Sequence, residues 1–405
     1  MINIVGLGYI GLPLAFSFAA NGIKVTGTDC NINLLKKLRS GEIPFEEKGL
    51  YELWEQAKNN IVFTEKCIEA DIYIIAVPTP YDKNTKRIDA SYVVTAVHDV
   101  LEAAPKGSII VLESTVSPGT IDKYIRPAVE KAGFIAGDTI HIAHSPERII
   151  PGNLVNELVT NSRTIGADSL EIAEKIKAVY GSFCTGEIIC TDIRTAEMTK
   201  IVENTFRDIN IAFANELAKI CREGSLDVHE IIRIANKHPR VNILNPGPGV
   251  GGHCISVDPW FLVGDYPILA NLVKTARQIN DSMPHYVLER TVQIMKETGI
   301  TDLSKVGFYG LTYKENVDDV RESPTMQLLD AMRIHMAPSP KVYDPYIKKA
   351  IVPNQVFSLD EFLNGLDIVV IMVAHDEIIE KANLLESKVV FDTRNIVKIT
   401  DVYKL

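Results

Sequence analysis

The sequence predicts an α/β chain, with two doubly wound sheets joined by a long central helix. Three observations carry this. Short apolar runs of strand length alternate with helical stretches over the first 190 residues. Residues 193–223 contain neither proline nor glycine and repeat apolar side chains at a helical period. After residue 298 the alternation of strand and helix resumes. The expected segments are therefore 1–190, 191–297 and 298–405.

The first segment opens on a buried strand, Ile2 to Val5. It runs into Gly6-Leu-Gly8-Tyr9-Ile10-Gly11, then an apolar helix ended by Gly22, then a strand from Ile23 to Thr28 and an acid, Asp29. Strand, G-x-G-x-x-G, helix, strand and acid form a dinucleotide-binding pattern. Gly6 makes the turn, Gly8 admits a pyrophosphate, and Gly11 lets helix and strand pack closely. The pyrophosphate then meets free N–H groups at the helix N-terminus. Asp29 falls eighteen residues after Gly11, where a carboxylate accepts hydrogen bonds from a ribose 2′-OH and repels a 2′-phosphate. NAD is the expected cofactor.

Further strands are expected at Ile72–Val77, Ile109–Glu113, Ile140–Ala143 and Glu187–Cys190. Polar residues follow three of them: Val77-Pro-Thr79-Pro, Glu113-Ser-Thr115-Val and Ser145-Pro-Glu147-Arg148. Ligands of such sheets bind beyond the carboxyl ends of strands, so these runs line one rim.

Asp192 is the expected N-cap of the central helix and Gly224 its stop. At 31 residues the helix would span roughly 46 Å, long enough to link two domains and to pack in a dimer. Glu197, Lys200, Asn204, Arg207 and Asn210 fall on or near one face. Asn204 and Asn210 are poor helix formers, which points to a site there.

A glycine- and proline-rich run, residues 245–260, presents Cys254. Gly247, Gly249, Gly251 and Gly252 precede the thiol and Asp258 follows it. Glycine allows close backbone approach and proline stiffens the loop, so the run is suited to mounting a nucleophile. The last segment has strands at Lys305–Tyr309, Lys341–Tyr343, Ile368–Val373 and Val389–Asp392, a second Rossmann-like pattern without its own glycine fingerprint. Lys314 and Arg321, after its first strand, suit a nucleotide diphosphate.

The 405 residues are 46% hydrophobic and 23% charged, which fits a globular chain of two or three domains. A net charge of −10 argues against nucleic-acid and anionic-membrane partners. Six scattered cysteines with no C-x-x-C pair fit a reducing compartment, no apolar run reaches transmembrane length, and no metal centre is expected. A cytoplasmic location is the expectation.

Taken in order, these motifs resemble the nucleotide-sugar 6-dehydrogenases, the family of UDP-glucose and GDP-mannose dehydrogenases, over essentially the whole chain. The Gly251-Gly-x-Cys254-x-x-x-Asp258 loop is similar to the branch acting on UDP-N-acetylmannosamine. The UDP-glucose branch tends to carry Pro-Lys where this chain has Ser256 and Val257. The resemblance implies an NAD-binding first domain, a central helical domain and a UDP-sugar-binding third domain. It implies two successive oxidations of a sugar C6 alcohol, with Cys254 as nucleophile. Lys200 and Asn204 would serve the C6 oxygen, and Asp258 or Glu147 the hydrolytic water. Tyr9, Ile10, Asp29, Cys30, Thr79, Thr115 and Arg321 would contact NAD. Arg148, Ile149, Arg207, His238, Arg240, Gly251, His253, Tyr313, Lys314 and Arg321 would hold the UDP-sugar, with Lys200 and Asn204. A homodimer or higher homo-oligomer is expected. Two rivals are a two-electron hydroxyacid dehydrogenase, which leaves the Cys254 loop and third segment unexplained, and a non-catalytic NAD and nucleotide-sugar sensor.

Overall fold

The computed structural model describes residues 1–149, 152–252, 254–335, 338–399 and 402–405. The chain forms two compact units, Met1–Glu203 and Asn204–Leu405.

The first unit is built on an eight-stranded sheet. Its strands are β1 (Ile2–Val5), β2 (Val25–Thr28), β3 (Ile61–Thr64), β4 (Ile72–Ile75), β5 (Ser108–Leu112), β6 (Ile140–His144), β7 (Arg163–Ala167) and β8 (Ile188–Thr191). They lie in the order β3-β2-β1-β4-β5-β6-β7-β8. All pairs are parallel except β6 with β7. Ile2 pairs with both Val25 and Ile72, so the order reverses between β1 and β4. That switch point is where such sheets bind ligands. Helix Gly11–Ala20 is buried almost throughout, which is why its sequence is apolar on all sides.

Two of these strands are absent from the sequence reading. β3 sits at the sheet edge, and Val62 points outward at 57% exposure. β7 starts with a buried arginine, whose burial depends on carboxylates supplied from beyond the ends of β5 and β6.

The second unit has a six-stranded, all-parallel sheet: β9 (Val306–Tyr309), β10 (Lys341–Tyr343), β11 (Gln355–Val356), β12 (Ile368–Ile371), β13 (Val389–Asp392) and β14 (Val402–Lys404). Its order is β11-β10-β9-β12-β13-β14. Counted within the unit this is 3-2-1-4-5-6, the same winding as a dinucleotide-binding sheet, with its switch point between β9 and β12. One face packs against helix Asn271–Thr298: Met283, Val287 and Ile294 share a core with Phe308, Val370 and Phe391. This helix keeps Pro284 in its interior.

Helix Ile193–Glu223 has the predicted bounds. Asp192 caps it through Thr195 N–H at 2.9 Å. At the far end Ser225, not Gly224, takes the left-handed conformation (φ 54°), and Leu226 N–H returns to Cys221 O at 2.7 Å.

Candidate active site

In the first unit the three glycines of the N-terminal turn do different physical work. Gly6 has φ +92°, and a Cβ there would lie 2.7 Å from Ala76 O. A Cβ on Gly11 would lie 1.9 Å from Gly6 O, so the turn and helix touch through bare backbone. A Cβ on Gly8 would meet nothing within 4 Å. Gly8 is thus the glycine that leaves room for a ligand, as a pyrophosphate requires. Asp29, at the end of β2, accepts from Leu7 N–H and Asn31 N–H, each at 2.8 Å. This ties the acid to the glycine turn. Beyond β4 and β5, Thr79 Oγ1 donates to Thr115 O at 2.7 Å, joining two residues expected to contact NAD. Tyr9 bonds Glu47 and stacks near Phe45, Ile10 opens the helix, and Cys30 is exposed. These residues fit a dinucleotide held against the helix N-terminus.

The same rim holds a buried charge cluster that the sequence reading does not contain. Arg163 donates to Glu113 at 3.0 Å and to Glu147, and its guanidinium lies 4.7 Å from the Tyr180 ring centre. Tyr180 also donates to Glu113. Burial raises the Glu113 pKa above the usual carboxylate range, against the pull of Arg163. Glu147 is 7% exposed and also accepts from Arg148 N–H at 2.6 Å. Arg148 itself is engaged by Glu203 at 2.7 Å and Thr164 at 2.8 Å, and Ile149 packs on the core. The only sequence signal for Arg163 is a lone charge opening an otherwise strand-like run.

Lys200 is buried on the long helix, at 7% exposure. In the second unit, one turn further on, Asn204 donates through Nδ2 to Asp258 Oδ2 at 2.5 Å. Asp258 is 3% exposed and opens helix Asp258–Asp265. Its N–H bonds Cys254 O at 2.8 Å, and Val257 N–H bonds the same oxygen at 3.0 Å. Cys254, half-buried, therefore sits in a turn locked onto Asp258.

That turn is clamped to the loop after β9. Gly252 N–H donates to Arg321 O at 2.9 Å. A Cβ on Gly251 would lie 2.6 Å from Tyr313 Cβ and 2.8 Å from Glu322 O, so this glycine is required by close approach. Burial pushes the Tyr313 phenol up to about 12, with the charge of Asp319 adding to it. Arg321 forks onto Asp319. Lys314 lines a small cavity with Pro248, Gly249, Thr325 and Arg394. Arg394 is a further cation there that the sequence reading leaves without a role.

Other expected residues are not gathered into this cluster. Arg207 is exposed on the long helix, and His238 and Arg240 are exposed beyond helix Val228–Ala235. Asn210 is an anchor: it bonds Asn242 O at 2.8 Å and Leu244 N–H at 3.0 Å. His253 lies outside the described residues.

A dinucleotide cradle in one unit and a carboxylate-anchored thiol loop in the other define an NAD-dependent dehydrogenase that carries a cysteine. Comparison with known proteins narrows the class. Residues 1–184, 194–282 and 307–399 match, in turn, the NAD binding, central and UDP binding domains of the UDP-glucose/GDP-mannose dehydrogenase family. The chain belongs to this family and is an NAD-dependent oxidoreductase acting on a UDP-sugar. It is 43% identical to the UDP-N-acetyl-D-mannosamine dehydrogenase of Methanococcus maripaludis, over 98% of this chain and 93% of that one. A solved UDP-N-acetyl-mannosamine dehydrogenase from Staphylococcus aureus is 41% identical with a TM-score of 0.89, covering 100% and 98% of the two chains. A UDP-D-ManNAc dehydrogenase from Pyrococcus horikoshii is 35% identical with a TM-score of 0.92, over the same shares. Among the described residues no helix is long and apolar enough to cross a membrane.

Proposed function

We propose that the chain oxidises the C6 alcohol of UDP-N-acetyl-D-mannosamine to the carboxylate. Relatives at 35–43% identity are named as dehydrogenases of UDP-N-acetyl-mannosamine, and Ser256 and Val257 stand where the UDP-glucose branch tends to carry Pro-Lys. The observation that carries the reading is the locked turn in which Asp258 accepts from Asn204 and donates its own N–H to Cys254 O.

NAD, when bound, accepts one hydride at each of the two oxidations. Lys200 takes the C6 hydroxyl proton and, with Asn204, holds the developing oxyanion. The Cys254 thiolate adds to the aldehyde carbon, giving a thiohemiacetal whose oxidation leaves a thioester. Asp258 or Glu147 takes a proton from water as the C–S bond breaks, releasing the carboxylate and the thiol. Each sugar thus consumes two NAD and one water. The bond to sulfur retains the half-oxidised sugar. Tyr313, Lys314 and Arg321 hold the nucleotide, with Arg148, Ile149 and Gly251 serving the UDP-sugar.

The domain reading proposed is NAD-binding 1–190, central helical 191–297 and UDP-sugar-binding 298–405. Val202, Phe206, Phe213 and Ile220 expose 48–69% of their surface along the long helix, an apolar stripe that supports a homodimer. A cytoplasmic location is proposed with it, because six scattered cysteines with no C-x-x-C pair fit a reducing compartment. Turnover of UDP-ManNAc, UDP-GlcNAc, UDP-GalNAc and UDP-Glc by the purified chain tests the sugar. UDP-ManNAc is expected to give the highest kcat/KM, and best turnover of UDP-Glc would overturn the branch assignment. Light scattering tests the dimer.

A further inference from the structure

His375 and Asp344 form a fully buried pair behind the loop that carries Tyr313 and Lys314. Asp344 follows β10, His375 follows β12, and the loop follows β9, so all three lie at the carboxyl ends around the switch point of the second sheet. His375 is 0% exposed and Asp344 2%. Asp344 Oδ2 accepts from Leu311 N–H at 2.6 Å and Thr312 N–H at 3.1 Å, while Oδ1 accepts from Tyr346 N–H at 2.8 Å.

The imidazole is held on both nitrogens. Asn316 N–H donates to Nδ1 at 2.9 Å, so Nδ1 is bare. Nε2 lies 3.1 Å from Asp344 Oδ2 and 3.3 Å from Thr312 Oγ1. Thr312 spends its own hydrogen on Lys314 O at 2.9 Å, so towards the ring it can only accept. Nε2 therefore carries the ring proton and shares it between the two oxygens. Asn316 has φ 58°, and its side-chain oxygen accepts from Asp376 N–H at 3.1 Å and Tyr346 O–H at 3.2 Å. The ring is flanked by Tyr346 at 5.0 Å and Tyr309 at 5.9 Å between centres. Both ends of the Thr312–Asn316 turn, on either side of Tyr313 and Lys314, are thus pinned to one side chain.

We propose that His375 is a positioning residue for nucleoside diphosphate binding: as the Nε2–H tautomer it fixes the turn that presents Tyr313 and Lys314 to the UDP portion of the substrate. The inference rests on the reading of Tyr313 and Lys314 as UDP-sugar contacts. A turn ordered before binding spares the ligand the entropy of ordering it. Losing both ring hydrogen bonds should weaken UDP binding about tenfold.

The test is UDP affinity by calorimetry on the full chain, with KM values for UDP-ManNAc and NAD measured alongside. His375→Phe keeps an aromatic ring and removes both hydrogen bonds. It is expected to weaken UDP about tenfold and raise the UDP-sugar KM in step, with the NAD KM unmoved. His375→Asn keeps an acceptor near the Nδ1 position and should recover part of the loss. Thr312→Val is nearly isosteric and should weaken UDP roughly threefold. It carries the test if His375→Phe does not fold. Wild-type UDP affinity in a folded His375→Phe or Thr312→Val protein, while Lys314→Ala weakens binding, would overturn the positioning role and leave the nucleotide reading intact. Wild-type affinity in Lys314→Ala would overturn both.

Discussion

Asn204 on the long helix and Asp258 beside the thiol loop are joined by a 2.5 Å hydrogen bond, from Nδ2 to Oδ2. It accounts for a helix-disfavouring residue in the middle of a 31-residue helix: the amide is there to reach out. Removing it takes one donor from a 3%-exposed carboxylate and takes away a proposed oxyanion contact. Asn204→Ala is expected to lower kcat by about 10²–10³-fold. Asn204→Asp should be worse, since it sets two carboxylates face to face. Steady-state kinetics on UDP-ManNAc decide, and a kcat within threefold of wild type in Asn204→Ala would remove Asn204 from the mechanism.

Gly8 and Gly11 should respond in opposite ways to gaining a side chain. A Cβ on Gly8 points into open space, whereas one on Gly11 would lie 1.9 Å from the Gly6 carbonyl oxygen. Gly8→Val is therefore predicted to melt within a few degrees of wild type while raising the NAD KM at least tenfold, because it fills the pyrophosphate's place. Gly11→Ala should lose the folded first unit, as backbone there cannot give way. Thermal melts and NAD titrations of both variants check the pair. Equal effects on stability would contradict the assignment of roles.

Glu197 gives the protein a pH-dependent stability. Its carboxylate is fully buried and accepts from Gly119 N–H at 2.6 Å and Ile121 N–H at 3.0 Å. Burial pushes its pKa up to about 7 against those two N–H groups, with Asp122 adding and Arg194 opposing. The folded chain then holds this proton more tightly than the unfolded chain, where the group titrates near 4.5. Its stabilising contribution is complete below pH 4.5 and is lost as pH rises through 7, by roughly 3 kcal/mol at most. Glu197→Gln should flatten that part of the curve. Urea titrations of both proteins from pH 5 to 8 test this, and an unaltered slope in the variant would rule the group out.

Features written in consecutive residues were legible in the sequence. The glycine turn, the capped long helix and the glycine-rich cysteine loop each depend on local backbone demands, and each appears where the sequence puts it. Features made by distant partners were not. Arg163 is covered because Glu113 and Glu147, 50 and 16 residues away, converge on it. The His375–Asp344 pair joins residues 31 apart. Helix Asn271–Thr298, absent from the sequence reading, keeps Pro284 in its interior; proline disfavours a helix interior locally, yet packing against the second sheet carries the helix through it. Asn210 shows the converse: a poor helix former suggested chemistry, and the residue instead anchors a loop.

The covalent role of Cys254 is tested most directly by the NADH and uronate formed from UDP-ManNAc by wild type and Cys254→Ser. The wild type should yield two NADH per sugar, and the serine variant should lose almost all uronate production, with the defect at the second oxidation. Uronate released by Cys254→Ser at the wild-type rate would contradict the account.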